Sequence, residues 1–251
     1  MQRYPVVFLG IGAFVAVVVA GCSSPSPAAP DLATAPPQLA ASSGSSSTAI
    51  AAHEAAPVRN DALHIIPEYG RSNGTHLSPA DLATDANTPL YRVANGAGAP
   101  IGPFPIFAPD GHQLTLKEYV NLSGSAAVKC INEGTHAVIH VSGLIPYGVY
   151  TLWYVVPNAA PPPLFLMVGP AGTDDGSQNR FDASASGEGE LSTITPAGHF
   201  VFIPGNFPSC ALTLREFHLV GAYHIDQRTW GPNPGNGGGT VIDSFAFIYR
   251  Q

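Results

Sequence analysis

From residue 126 to residue 249 the chain is a succession of short runs rich in β-branched and aromatic side chains, each closed by Gly, Pro, Asn or Asp. Such runs fit a pleated, half-buried surface, so they predict strands. The expected strands are Ala126–Ile131, His136–Val141, Val149–Val156, Leu164–Val168, Phe181–Ala185, Leu191–Thr195, Ala211–Leu214, Phe217–Ile225 and Thr240–Tyr249. The segments between them, such as Gly143 to Gly148, Gly172 to Gly176 and Gly231 to Gly235, carry turn chemistry. A helix is expected only at Thr115-Leu116-Lys117-Glu118, which has capping-box spacing. Short strands without alternating helices predict an all-β fold, an antiparallel β-sandwich, with a small closed β-barrel as the alternative.

Composition agrees with this reading. Charged residues are 11% of the chain, below the roughly 25% of an ordinary soluble domain, while glycine and proline make up about a fifth. The formal charge is −7 and the lysines are Lys117 and Lys129, so no basic surface exists to neutralise a phosphate backbone. Nucleic acid is not an expected partner.

The N-terminus predicts an address. Arg3 precedes an uncharged apolar run from Val6 to Ala20. About 15 helical residues span roughly 22 Å, short of the ~30 Å hydrocarbon slab, so the run reads as a signal-peptide core. It ends in Val19-Ala20-Gly21-Cys22, which resembles the bacterial lipobox. That resemblance implies cleavage after residue 21, a diacylglyceryl group on Cys22, and a lipid-anchored protein of the bacterial cell envelope facing away from the cytoplasm. Two or more acyl chains hold such an anchor, at ~0.8 kcal/mol per buried CH₂.

Residues 22–57 are rich in Ser, Ala and Pro and nearly free of aromatics, so they are expected to be a disordered tether. Residues 58–89 lack apolar periodicity and read as an irregular lead-in, and residues 90–251 as the β-sandwich domain. With Cys22 lipidated, Cys130 and Cys210 remain in a compartment where a disulfide persists. The bridge is the expected state, two buried thiols the alternative.

The segment Gly134-Thr135-His136-Ala137-Val138-Ile139-His140-Val141-Ser142-Gly143-Leu144-Ile145-Pro146-Tyr147-Gly148-Val149-Tyr150-Thr151-Leu152-Trp153 resembles a pattern of an uncharacterised family of secreted bacterial all-β proteins. The stretch from Leu212 to Gly235 resembles the same family's C-terminal signature, departing from it at Trp230, where that family carries a histidine. The resemblance implies an exported all-β domain and no particular reaction.

No HExxH helix, paired CxxC, P-loop or GxSxG elbow is present, so no catalytic residue is assigned. A hydrolase would have to assemble a scattered triad. Four of the nine histidines, His136, His140, His218 and His224, fall in expected strands and are the candidate metal ligands. Residues i and i+4 of a strand lie about 13 Å apart, whereas two imidazoles on one ion need ~3.3 Å. A metal site would therefore need a cross-strand partner, such as His140 with His218 or His224. Asp174, Asp175, Ser177, Asn179 and Asp182 gather oxygen donors suited to a hard cation, against the simpler reading as an Asp-Gly turn. Glu188 and Glu190 share strand parity about 7 Å apart, a spacing open to a glycosidase-like pair or to plain solvated charge.

Tyr147, Tyr150, Trp153 and Tyr154 are candidates to line a ligand groove, with core packing as the competing reading. Three function classes follow. The first is a non-catalytic binding module for a protein or glycan, needing no cofactor. The second is a metal-binding envelope protein or oxidoreductase built on the strand histidines, and the third is the hydrolase.

Overall fold

The computed structural model describes residues 56–95, 98–157, 166–199, 208–235 and 239–251. The expected signal peptide, Cys22 and almost all of the tether lie outside the described residues.

Among the described residues thirteen strands carry the fold. They are β1 (Val58–Asn60), β2 (Leu63–Ile65), β3 (Tyr69–Gly70), β4 (Tyr91–Ala94), β5 (Pro100–Pro105), β6 (Ser123–Ile131) and β7 (Gly134–Ser142), then β8 (Val149–Pro157), β9 (Leu166–Pro170), β10 (Arg180–Asp182), β11 (Gly189–Pro196), β12 (Glu216–His224) and β13 (Val241–Arg250). One antiparallel sheet has the order β1-β6-β7-β11. A second runs β10-β8-β12-β13-β2, with β9 also paired to β8, and a small third sheet runs β3-β4-β5. None closes into a barrel, so the sandwich-like reading holds and the barrel does not.

Alternation decides which faces meet. Val128, Ala137, Ile139 and Val141 point inward from the first sheet, and Leu152, Tyr154, Leu219, Phe245 and Phe247 from the second, into one shared core. The second sheet is apolar on its other face as well, where Trp153, Val220, Ala222, Val241 and Ala246 cluster with partly buried Ile66, Val168 and Trp230. This accounts for β8 reading apolar throughout: it lies between β12 and the pair β9 and β10, covered on both sides.

Two expectations are corrected. The lead-in from 58 to 89 belongs to the folded body: β1 pairs with β6, β2 pairs with β13, and Tyr69 and Leu77 are core residues. Strands of two or three residues are too short to display a period. The stretch Ala211–Leu214 is not a strand; Ala211–Thr213 forms a 3₁₀ turn whose Ala211 N–H donates to the Thr135 hydroxyl at 2.8 Å. The capping box is present, with the Thr115 N–H donating to the Glu118 carboxylate at 2.8 Å ahead of the single helical turn Leu116–Tyr119.

Cys130 and Cys210 form a disulfide across a separation of 80 residues, with Cα atoms 5.5 Å apart. It ties the end of β6 to the turn before β12, and so the first sheet to the chain entering the second. A loop of this length restricts the unfolded chain by up to about 4 kcal/mol in the chain-entropy treatment. Replacing both cysteines by alanine is expected to lower unfolding stability by about 2–4 kcal/mol. Urea denaturation of the double variant beside the oxidised protein measures it; an unchanged midpoint would show that the crosslink contributes nothing.

Candidate functional site

The four candidate metal ligands are dispersed. His136 and His140 lie on the outer face of the first sheet: His136 Nε2 is 2.9 Å from the Ser192 hydroxyl, and His140 Nδ1 is 3.5 Å from Glu190. His218 and His224 lie in the second sheet, opposite Val155 and Val149 of β8, six residues or about 20 Å apart. A β-bulge does occur at Gly221/Ala222, yet it leaves this separation intact. The His140 pairing with His218 or His224 is therefore not formed, because β7 and β12 belong to different sheets. His218 Nε2 faces Glu216 at 2.7 Å, while His224 is buried with Nε2 2.8 Å from the Thr151 hydroxyl. Burial pushes the His224 imidazole down to about 4, so it stays neutral at ordinary pH. Among the described residues no three His, Cys, Asp or Glu side chains converge on a point that could hold a metal.

The oxygen-rich loop is likewise spread out. Asp175 accepts from the Thr173 hydroxyl at 2.7 Å and the Ser177 N–H at 3.0 Å, the self-bonding of an Asx turn, while Asp182 pairs with Arg180 and Asp174 with His199. Asn179 is buried. Thr173, Asp174, Asp175, Pro196 and His199 border a cleft of about 400 Å³. Glu188 accepts from the Ser142 hydroxyl at 2.6 Å and Glu190 faces His140, so each carboxylate serves a different cross-strand neighbour.

The aromatic candidates divide as the strand period dictates. Tyr150 and Tyr154 point into the shared core and Trp153 into the cluster on the opposite face, its indole N–H donating to Thr151 at 2.8 Å. None of the three lines an open groove. Tyr147 is different: 67% of it is exposed.

Tyr147 stands on the crossover that carries the chain from β7 in one sheet to β8 in the other. Gly143 begins it at φ +78°, where a Cβ would fall 1.7 Å from the Asn121 carbonyl oxygen, so the approach admits only glycine. The Ile145 N–H then donates to the buried Tyr150 hydroxyl at 2.9 Å, the Leu144 N–H to the Gly187 carbonyl at 2.9 Å, and the Tyr147 N–H to the Ser184 carbonyl at 3.3 Å. Within that frame Tyr147 adopts φ +59°. A left-handed backbone costs a side-chain-bearing residue roughly 1–2 kcal/mol, and it persists where the surroundings over-determine it.

The other non-glycine residue with positive φ among those described, Gln227 at +58°, occupies the same end of the sandwich. Its Oε1 accepts from the Val149 N–H at 3.1 Å, and its Nε2 donates to the Tyr223 hydroxyl at 3.1 Å and the His224 carbonyl at 2.8 Å. The Tyr223 hydroxyl donates in turn to the Phe107 carbonyl at 2.8 Å. Gln227 thus ties the start of β8 to the end of β12, and Tyr223 ties β12 to the segment 106–114. Phe107, 38% exposed, opens the turn that carries Asp110 and His112. His112 Nδ1 lies 2.6 Å from Asp110 and Nε2 3.3 Å from Glu118; the Asp110 hydrogen bond first, then the two carboxylate charges, hold the imidazole above its usual pKa. Exposed rings among fixed donors and acceptors can stack on and orient a ligand, and loops clustered at one end of a sandwich are a common place for recognition. The sequence signal for this site is Pro146-Tyr147-Gly148, an aromatic inside a turn.

A strongly perturbed carboxyl lies inside the fold. Glu68 is 2% exposed, its Oε2 3.3 Å from Arg92 Nε and 3.2 Å from the Asp243 backbone N–H. Burial first, then the neighbouring Asp243 charge, push the Glu68 carboxyl up to about 8, and burial raises Asp243 too, against the pull of Arg92. Glu68 thereby retains a proton at neutral pH, and its contacts with Arg92 and the Asp243 N–H join β13 to the small sheet.

No family model matches the chain, and no curated protein and no solved structure matches it.

The buried pair sets a pH dependence. A Glu68 raised from 4.5 to about 8 holds its proton folded and releases it unfolded, so its contribution is complete below about 4.5 and is lost as pH rises through about 8. Stability should decline across that window, and Glu68→Gln should flatten the decline. Denaturation midpoints at several pH values test this; a slope unaltered by the substitution would place the retained proton elsewhere.

Proposed function

We propose that this chain is an exported, lipid-anchored envelope protein whose β-sandwich is a non-catalytic binding module for a protein or glycan. The observation that carries the binding role is the tied loop end, where Tyr147 is held in a strained backbone conformation with its ring exposed. Packing alone gives no reason to hold a tyrosine ring outward in a left-handed conformation, whereas a ligand surface does. Rigid aromatics lose little side-chain entropy on binding, and the exposed Tyr147 ring is of the kind that stacks on the apolar face of a sugar.

The address is supported by two features. The Cys130–Cys210 disulfide suits an oxidising compartment, and the segment ending at Cys22 resembles a lipobox. On this reading the Ser/Ala/Pro-rich stretch from 23 to 57 spaces the domain from the membrane.

Mass spectrometry of the cell-derived protein should find a diacylglyceryl group on Cys22 and no residue before it; an uncleaved start would refute the anchor. For the binding role, affinity electrophoresis against a panel of bacterial envelope polysaccharides is expected to retard the protein. Tyr147→Ala should weaken retention by roughly tenfold or more, the loss typical of a central aromatic. Equal retention of the parent and the variant would remove the loop end from consideration, and binding only to envelope proteins would exchange the glycan for a protein ligand.

A further inference from the structure

The edges of the sheets are guarded unequally. β1, β2 and β10 are three residues long, β9 is five, and β5 carries Pro100, Pro103 and Pro105. Short strands and prolines are the usual means of blunting an edge against unwanted pairing. β11 has neither along its middle: it runs eight residues, pairs with β7 on one side, and pairs with no strand among the described residues on the other.

Its register shows which backbone groups that edge presents. The Ala197 N–H donates to the Glu133 carbonyl, so position 197 and every second residue before it, through Thr195 and Thr193, bond to β7. Glu190, Ser192 and Ile194 therefore direct both N–H and C=O outward, and their side chains are exposed on the outer face. Pro196 ends the series without an N–H.

We infer that β11 is an association edge at which two copies of this chain join antiparallel, extending the first sheet through a two-fold axis at Ser192. In this register Ser192 faces its own copy and Glu190 faces Ile194 of the other, with two backbone hydrogen bonds at each of the three facing positions. Sliding the register by one facing position along the edge forfeits one of these positions or brings in Pro196, and centring it on Glu190 opposes two carboxylates. The two-fold at Ser192 alone satisfies the whole edge and keeps the Glu190 carboxylates about 13 Å apart. The occupant that fits is thus a second copy, since in this register the edge satisfies its own backbone hydrogen bonds without opposing its carboxylates. The assembly is reversible, because one strand edge buries less surface than a permanent dimer requires.

The test introduces Ser192→Cys into the full chain in a Cys22→Ser background, purified in detergent, leaving one unpaired thiol. Facing Cα atoms of a hydrogen-bonded pair lie about 5.5 Å apart, within disulfide reach. Mild oxidation should give a covalent dimer at several times the yield of Ser186→Cys, an exposed position off the edge. Adding Ile194→Glu, which opposes Glu190 of the other copy, should cut the Ser192→Cys yield several-fold, and Ile194→Lys should preserve it. Both replace a side chain that is 41% exposed, so folding is not at stake. Equal yields at 192 and 186, or no difference between the glutamate and lysine variants, would overturn the inference.

Discussion

The structure depends on one crossing. β7 and β8 are consecutive in sequence but lie in different sheets, and the six residues between them turn the chain from one layer to the other. Gly143 makes the turn sterically accessible, and the buried Tyr150 hydroxyl holds the Ile145 N–H that would otherwise lose its partner inside the protein. Tyr150 is also a core residue whose ring contacts Phe181 and Tyr223. The same side chain thus fixes the spacing of the layers and the path of the loop above them, and Tyr147 is exposed as a consequence.

Polar groups at this end are used for positioning. Gln227 satisfies the Val149 N–H and the His224 carbonyl and Tyr223 the Phe107 carbonyl, which ties the start of β8 and the segment 106–114 to the end of β12. The four candidate histidines play comparable local parts, each meeting a serine, threonine or carboxylate neighbour within its own sheet. A metal centre requires convergence, and a sandwich that sends alternate residues to opposite faces separates what a linear sequence lists close together.

The second sheet differs from the first in being covered on both faces. Trp153, Val220 and Ala246 are packed on the side away from the shared core, and Ile66 reaches that cluster from the N-terminal part of the domain. The first sheet keeps a solvated outer face, lined by His136, His140, Ser192 and Ile194, and ends in an edge strand of eight residues. The two layers therefore divide the work: one is anchored on both sides, the other remains available at its surface and rim.

Strand identity was legible in the sequence wherever a run was long enough to show its period, as in β6, β7, β8, β12 and β13, because alternation and β-branched content are local properties. The all-β class, the turn positions, the capping box at Thr115 and the pairing of Cys130 with Cys210 could be read the same way. The short strands between 58 and 70 could not, since two or three residues carry no periodicity and are ordered by partners far along the chain. Tertiary structure alone decided that Tyr150 and Tyr154 fill the core while Tyr147 faces solvent, that the four candidate histidines do not converge, and that Glu68 is buried between Arg92 and the Asp243 backbone. Each of these depends on which sheet a strand joins and which face a residue presents there, and that follows from packing between layers rather than from any residue's neighbours in sequence.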